Sequence, residues 1–387
     1  MKQLDKKIDE IKRSLSSNFL TIFSGLYSAN KDYIVKEFIS TISKENNLIT
    51  LNFSILNFNR FYTETENLDY VLSKIDNTKN NVVVIFEFTN LINWSEFIEK
   101  LSSINNLKVI ATTSINFSAA MTFTKIKKFR LNFNEIQYLP PTYHEYCLGN
   151  DNANIDNYLK YGSLRVDKSH KNDDLIYDLV YGINIIRLFS IFLILTKVRS
   201  HFQLEVFYNF LVQNIDQKLT IEFIKNNIKN YSGIMMNNGK TTWKYINLLQ
   251  NLYILIPINS YCPIRKSYKS NSRFICVDHM MFRNVATKKN KKNLIIRNIL
   301  ISEFLKRKLD VFIIEDNKIN EPGFFVNISK LNKLLFVFDE TSEVIKKFID
   351  KEIIEEENII NVSKNITNKE LEIILNKIEE RVKKNKG

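Results

Sequence analysis

The stretch FLTIFSGLYSANKDYIV, residues 19–35, decides the fold, because a short apolar run ends in glycine and leads directly into residues with helical spacing. Similar apolar runs alternate with helical patterns downstream. The runs lie at 47–53, 81–88, 107–114 and 129–133, and the helical patterns at 68–75 and 94–104. The run NVVVIFEF at 81–88 is almost continuously apolar, which is typical of a strand buried on both faces. The alternation predicts an α/β fold with a parallel sheet covered by helices.

The turn Gly25–Asp32, GLYSANKD, lies where a phosphate-binding loop belongs, because amides at a helix N-terminus can hold phosphate oxygens. Such a loop has the pattern GxxxxGK[ST]. Gly25 and Lys31 match it, Asn30 replaces the second glycine, and Asp32 replaces the hydroxyl that would bind magnesium. Asparagine tolerates a left-handed backbone. A carboxylate at Asp32 would repel phosphates unless a metal lay between them.

A second nucleotide motif is an apolar strand that ends in Asp-Glu, and here the strand supplies Glu87 but has Phe86 in place of the aspartate. Phe86 cannot hold a magnesium-bound water. Glu87 could orient an attacking water, but without a metal it would have little to act on. The next strand ends in three hydroxyl residues, Thr112 to Ser114, and Thr113 is our candidate for the hydroxyl that senses a γ-phosphate.

A purely structural interpretation competes with this one. Gly25 would be a strand–helix turn, Lys31 a solvated surface lysine, and Glu87 a strand-end carboxylate, since loose motifs of this kind recur by chance.

Beyond Pro140-Pro141 the chain becomes mainly helical. Residues 220–261 have the order helix, turn, helix and short hairpin, which is typical of a winged helix. Strands and helices alternate again in the last third. The apolar stretch 188–196 is too short to span a membrane and is interpreted as part of a buried helix.

Six stretches, in order, resemble a prokaryotic AAA-type ATPase family with a P-loop domain, a winged helix and a C-terminal restriction-endonuclease-like domain. They are Phe86–Trp94, Lys108–Ser118, Tyr138–Cys147, Tyr158–Val166, Thr241–Tyr261 and Phe274–Ala286. The resemblance implies a helical segment at 1–18, a P-loop AAA-like domain at 19–145, a helical lid and winged helix at 146–265, a nuclease-like α/β domain at 266–364 and a charged helix at 365–387.

The resemblance also implies ATP as ligand, held by Gly25, Asn30, Lys31 and Asp32, with Lys31 on the β- and γ-phosphates. The departures from the family pattern argue against bound magnesium and predict weak or lost hydrolysis, with Glu87 and Thr113 as residual catalytic residues. Nuclease activity is not expected, because the family's carboxylates and lysine are replaced at three places. These now read Arg297-Asn298, Glu321–Phe324 and Val337–Asp339.

The chain carries 55 Lys and Arg against 42 Asp and Glu, a formal charge of +13. A-rich and T-rich codons favour Lys, Asn and Ile, so part of this excess is genomic bias. A basic segment beside the predicted winged helix is a candidate DNA contact, the alternative being a solvated lysine loop. Its residues are Arg283, Lys288, Lys289, Lys291 and Lys292. A nucleotide-free DNA-binding or protein-interaction scaffold is therefore the alternative function.

Three separated cysteines and the lack of an export signal predict a reducing, cytoplasmic setting. Cys276 and His279 form a lone CxxH pair without a second pair at zinc spacing, so no metal site is expected.

Overall fold

The computed structural model of the chain describes the sequence in segments. They are 2–26, 31–53, 64–91, 93–123, 131–148, 153–162, 201–215, 218–232, 239–262, 267–282, 291–315, 323–329, 333–338, 346, 348–349, 354–363 and 366–384. The chain divides into two units, and each has its own sheet. The first is Met1–Pro140, Val166–Phe202 and Asn251–Tyr253, and the second is Pro141–Arg165, Gln203–Gln250 and Ile254–Gly387.

The first unit is built on a five-stranded sheet in which every neighbouring pair is parallel. Its strands are β1 (Leu20–Ser24), β2 (Asn46–Asn52), β3 (Asn80–Phe86), β4 (Leu107–Thr113) and β5 (Phe133–Gln137). Its described helices are α1 (Lys2–Ser17), α2 (Lys31–Ile42), α3 (Glu64–Lys74), α4 (Trp94–Ser102) and α5 (Phe117–Phe123). The predicted α/β class is confirmed.

One strand prediction was wrong in position. The strand expected at 129–133 is β5 at Phe133–Gln137, where Phe133 pairs with Leu20 of β1. Both stretches contain apolar residues next to polar ones, so the pattern alone could not decide between them. Pairing with β1 selects the later stretch.

Strand β3 shows why this sheet is buried on both faces. Val82 and Val84 share a core cluster with Ile11 of α1 and Phe38 of α2. The alternate residue Val83 faces the opposite side of the sheet and is also fully buried. Fully burying a valine contributes about 1.5–3 kcal/mol, so this unbroken apolar run is strongly stabilising in the sheet centre.

The strand order β2-β3-β4-β1-β5 fixes where a ligand can approach. Strands β2, β3 and β4 lie on one side of β1, and β5 lies on its other side. The order in which strands are added to the sheet therefore changes direction next to β1. In open α/β sheets, ligands bind outside the carboxyl ends of the strands at such a switch point.

The second unit contains a six-stranded mixed sheet of order β11-β10-β9-β8-β6-β7. Its strands are β6 (Leu255–Cys262), β7 (Ser267–Cys276), β8 (Asp310–Ile314), β9 (Phe324–Asn327), β10 (Lys333–Phe338) and β11 (Ile359–Val362). Its described helices are α6 (Tyr143–Cys147), α7 (Ile155–Tyr161), α8 (His201–Gln213), α9 (Ile221–Ser232), α10 (Gly239–Asn251), α11 (Lys291–Lys306) and α12 (Asn368–Lys384).

The hairpin after α10 is continuous with the C-terminal sheet. Strands β6 and β7 are antiparallel, and β6 also pairs in parallel with β8. The predicted boundary at 265/266 falls between β6 and β7. Helices α9 and α10 and the hairpin follow in the predicted winged-helix order; the winged helix, the nuclease-like domain and the domain boundaries stay predictions.

The C-terminal helix α12 packs into the core of the second unit. Leu371, Leu375, Ile378 and Val382 are buried there at helical spacing. Among the described helices, none is long and apolar enough to cross a membrane. The apolar stretch 188–196 lies outside the described residues.

Candidate functional site

Lys31, the first residue of α2, is buried at the carboxyl edge of the parallel sheet. Its Nζ lies 2.6 Å from Oε1 of Glu87, which directly follows β3, and the two side chains are 1% and 2% exposed. The alternative interpretation of Lys31 as a solvated surface lysine is therefore wrong. Burial removes the hydration of the ammonium group, so a charged partner such as Glu87 is required.

The Glu87 carboxylate is fixed by Ser114, just beyond β4. The Ser114 backbone N–H donates to Oε2 at 2.9 Å, and the Ser114 hydroxyl donates to Oε1 at 2.9 Å. Lys31 Nζ in turn donates to the Ser114 hydroxyl at 3.2 Å. The ends of α2, β3 and β4 are thus joined by one small polar network.

The backbone at Glu87 adopts the left-handed conformation, with φ 52° and ψ 49°. Its N–H donates to Oγ1 of Thr112 at 3.0 Å, which anchors this turn to β4. A non-glycine residue held in a sparsely populated region costs about 1–3 kcal/mol, and such strain concentrates at functional sites. The turn therefore presents the carboxylate to Lys31 at an energetic cost.

Thr113 does not contact the Lys31–Glu87 pair among its described hydrogen bonds. Its hydroxyl lies 2.9 Å from that of Thr89 and accepts from the N–H of Ile115 at 3.1 Å. The hydroxyl that reaches Lys31 and Glu87 belongs to Ser114. The three hydroxyl residues at the end of β4 predicted a hydroxyl at this site, but the sequence alone does not show which of them contacts Lys31.

Gly25 is a glycine for a packing reason. A Cβ at this position would lie 2.0 Å from the carbonyl oxygen of Tyr138, far inside van der Waals contact. The Gly25 N–H donates to the carbonyl of Thr113 at 3.1 Å. The close approach of the turn to the chain beyond β5 therefore requires glycine, whatever ligand the loop holds.

A second polar cluster fixes the end of β1 beside Gly25. Glu135 Oε1 accepts from the Ser24 hydroxyl at 2.5 Å and from the Phe117 N–H at 3.1 Å. The Tyr253 hydroxyl donates to Ser24 at 2.8 Å. Burial raises the pKa of Tyr253 to about 12, so its hydroxyl stays neutral and available as a donor. Sequence reasoning missed this cluster, because its members are far apart along the chain.

The described residues do not form a complete magnesium site. Phe86 is 3% exposed and offers no oxygen ligand. One oxygen of Asp32 is buried without a hydrogen-bond partner among the described residues. Those residues contain no group of three or more His, Cys, Asp or Glu placed to hold a metal.

Several predicted site residues lie outside the described part of the chain. These are Asn30, Arg283, Lys288 and Lys289, together with the side chains of Lys291 and Lys292. Two basic residues at the end of α11, Lys306 and the following Arg307, can be placed, and both form ion pairs inside the unit. Arg307 donates to Glu303 at 2.7 Å and to Glu379 at 2.5 Å, and Lys306 lies 3.9 Å from Glu303. The positive charges of Lys306 and Arg307 are therefore paired with carboxylates of the same unit.

No protein-family model and no curated protein matches the sequence. Solved structures to which the chain is similar include the Walker-type ATPase PABY2304 of Pyrococcus abyssi, at 14% identity and a TM-score of 0.40, covering 69% of this chain and 92% of that one. The Aeropyrum pernix ORC2 protein, solved in ADPNP–ADP complexes, is 9% identical with a TM-score of 0.39, covering 77% and 93%.

A third similar structure is Cdc6p from Pyrobaculum aerophilum, 10% identical with a TM-score of 0.27, covering 77% of this chain and 94% of that one. All three TM-scores are below 0.5. The fold assignment rests on the parallel pairing and strand order of the first unit.

Proposed function

We propose that this chain is a P-loop nucleotide-binding protein of the AAA type that binds adenine nucleotide and hydrolyses it weakly or not at all. The observation that carries the proposal is the buried Lys31, which begins α2 at the switch point of the sheet. A lysine at a helix N-terminus directly after the first strand is the arrangement that holds nucleotide phosphates.

The charges near Lys31 favour a phosphate ligand over a neutral one. The first turn of an α-helix has N–H groups without partners inside the helix, and it carries the positive end of the helix dipole. Lys31 places its ammonium group beside them, with Glu87 as its counter-charge. Gly25, Asn30 and Asp32 would complete the loop, with backbone groups rather than the Asp32 carboxylate facing the phosphates.

Weak hydrolysis follows from the state of Glu87. A general base needs a free carboxylate within reach of the attacking water. Glu87 Oε1 is already held by Lys31 and Ser114, and Oε2 by the Ser114 N–H. Phe86 supplies no metal ligand next to it. Of the residual catalytic residues predicted from the sequence, this leaves Thr113, the candidate that would sense the γ-phosphate.

Calorimetric titration with ATP, with and without magnesium, tests nucleotide binding. Since Lys31→Ala alone would leave Glu87 buried and unpaired, the informative variant is the double change Lys31→Met with Glu87→Gln, which removes both charges. Lys44→Met, at an exposed lysine just beyond α2, is the control. We expect saturable binding by the native chain and the control, and none by the double variant.

Absence of saturation at millimolar ATP, or equal binding by the double variant, would overturn the proposal. A phosphate-release assay on the same three proteins separates binding from turnover. A native rate at background or only slightly above it is expected. A native rate far above background that is lost in the double variant would instead identify an active ATPase.

A DNA-binding function is the second candidate, favoured by the exposed face of α10. Lys240, Trp243, Lys244 and Asn247 are exposed on this helix, and it contains no acidic residue. A basic helix face with an aromatic side chain suits the phosphate backbone and bases of a duplex.

Fluorescence polarisation with a labelled duplex tests this function at several salt concentrations. The changes Lys240→Glu with Lys244→Glu should weaken binding and reduce its salt dependence. A second set, in which Lys288, Lys289, Lys291 and Lys292 become glutamate, tests the basic segment separately. Salt-independent or absent binding would reject the function.

A further inference from the structure

We propose that Glu87 makes the nucleotide site selective for diphosphates over triphosphates, an inference that rests on the nucleotide-binding function proposed above. The argument begins with the charge of Lys31. Its Nζ is 2.6 Å from Glu87 Oε1, so the ammonium is already neutralised before any phosphate arrives. The net charge presented by the pair is close to zero rather than +1.

The carboxylate is also prevented from moving away easily. Ser114 donates two hydrogen bonds to it, and Thr112 anchors its backbone. The turn at Glu87 is followed directly by a short 3-10 helix over Phe88–Asn90, whose first residue is 1% exposed. A ligand phosphate would therefore meet Lys31 with its counter-charge still in place.

This arrangement penalises each additional negative charge brought to Lys31. Both side chains of the pair are almost completely buried, so solvent screens their field poorly. A triphosphate carries one more phosphate, and more negative charge, than a diphosphate. Sites that hold a γ-phosphate commonly offset its charge with a metal, but Phe86 supplies no ligand for one.

Asp32 adds a second carboxylate at the start of the same helix. It is the second residue of α2, and its Oδ1 is buried without a hydrogen-bond partner among the described residues. Glu87 contacts the Lys31 ammonium, and Asp32 is the next residue in the sequence. The helix N-terminus and the lysine can hold a diphosphate, whereas a third phosphate adds repulsion without an added cation.

The test is calorimetric titration of the full chain with ADP and with ATP, each with magnesium and with EDTA. We expect the native chain to bind ADP at least about tenfold more tightly than ATP, a difference of about 1.4 kcal/mol. Glu87→Gln should reduce this ratio to about threefold or less by strengthening ATP binding, because the amide keeps hydrogen-bonding capacity without charge. Glu99→Gln, at an exposed position of α4, should keep the native ratio.

Equal or tighter binding of ATP by the native chain would overturn this inference and leave nucleotide binding intact. Binding of neither nucleotide would overturn the proposed function and this inference with it. Circular dichroism and thermal unfolding establish whether the Glu87→Gln variant is folded. If it is not, the native ADP-to-ATP ratio decides by itself. An unchanged ratio in a folded Glu87→Gln variant would also overturn the role of Glu87.

Discussion

Lys31 Nζ and Glu87 Oε1 are 2.6 Å apart in a site where neither side chain exceeds 2% exposure. The two residues come from a helix start and a strand end, and Ser114 hydrogen-bonds to both. The pair therefore fixes the geometry at the switch point of the sheet. The contribution of the pair to the free energy of unfolding can be measured without any ligand.

Removing one partner of this pair should destabilise the first unit strongly. Lys31→Met leaves Glu87 buried and unpaired, which should cost about 3–5 kcal/mol. The double variant with Glu87→Gln should recover most of that loss, because no uncompensated charge remains. Urea denaturation measures both, with Lys44→Met as control. Equal stability of the single and double variants would contradict the prediction.

Gly25→Ala should destabilise the chain by about 1–3 kcal/mol, as overpacking does. The new methyl group would collide with the rigid backbone oxygen of Tyr138 at 2.0 Å. Gly239→Ala is the matched control, because its Cβ would lie 3.5 Å from the side chain of Ile221, in ordinary contact. Thermal unfolding should separate the two variants. The prediction fails if Gly25→Ala unfolds at the native temperature.

Arg307→Met should destabilise the second unit by about 3–5 kcal/mol, because Glu303 would lose its closest cationic partner. Glu303 is 1% exposed and also accepts from the Tyr143 N–H at 2.9 Å, so it cannot move into solvent without breaking the core. Lys369→Met, at an exposed lysine of α12, should change stability by less than about 0.5 kcal/mol. Chemical denaturation compares them, and similar losses in both would refute the internal role of Arg307.

His279 should make the second unit less stable in acid. Burial lowers the pKa of His279 below its usual 6.5, although Asp278 opposes the shift. Below pH 6.5 the unfolded chain therefore takes up a proton that the folded chain takes up only at lower pH, and folding stability falls as pH decreases across that interval. Well above pH 6.5 the imidazole is neutral in both states and this contribution is constant.

Four groups around His279 also influence its pKa. Tyr158 contributes its carbonyl oxygen at 2.8 Å, and Asp278, Lys306 and Glu303 act on the ring through their charges. Thermal unfolding between pH 5 and 8 should show a fall in melting temperature below about pH 6.5 that is reduced in His279→Gln. An identical pH profile in the variant would remove His279 as the cause.

The sequence predicted the sheet of the first unit well, because its strands are buried runs and the helices between them are amphipathic. Strand β3 was placed within two residues, since Val82–Phe86 is apolar throughout. Strand β5 was misplaced, because its position depends on pairing with Leu20 of β1, which is distant in sequence.

The site was only partly predictable. Lys31 and Glu87 were selected from motif spacing, but lysine is rarely buried, so nothing local indicated that the two would pair. The sequence analysis selected Thr113, but the neighbouring Ser114 contacts Lys31 and Glu87. Adjacent side chains at a strand end point to opposite sides, so an error of one residue selects the wrong side. Only the three-dimensional fold shows that Ser114 completes the network.

The shared sheet of β6, β7 and β8 limits how the chain can be divided. A fragment that ended at residue 265 would retain β6 without β7 and β8, its partners on either side. Both of its hydrogen-bonding edges would then be exposed, and such strands promote intermolecular association. Aggregation of that fragment would therefore reflect a cut through one sheet, and would carry no information about the activity of the intact protein.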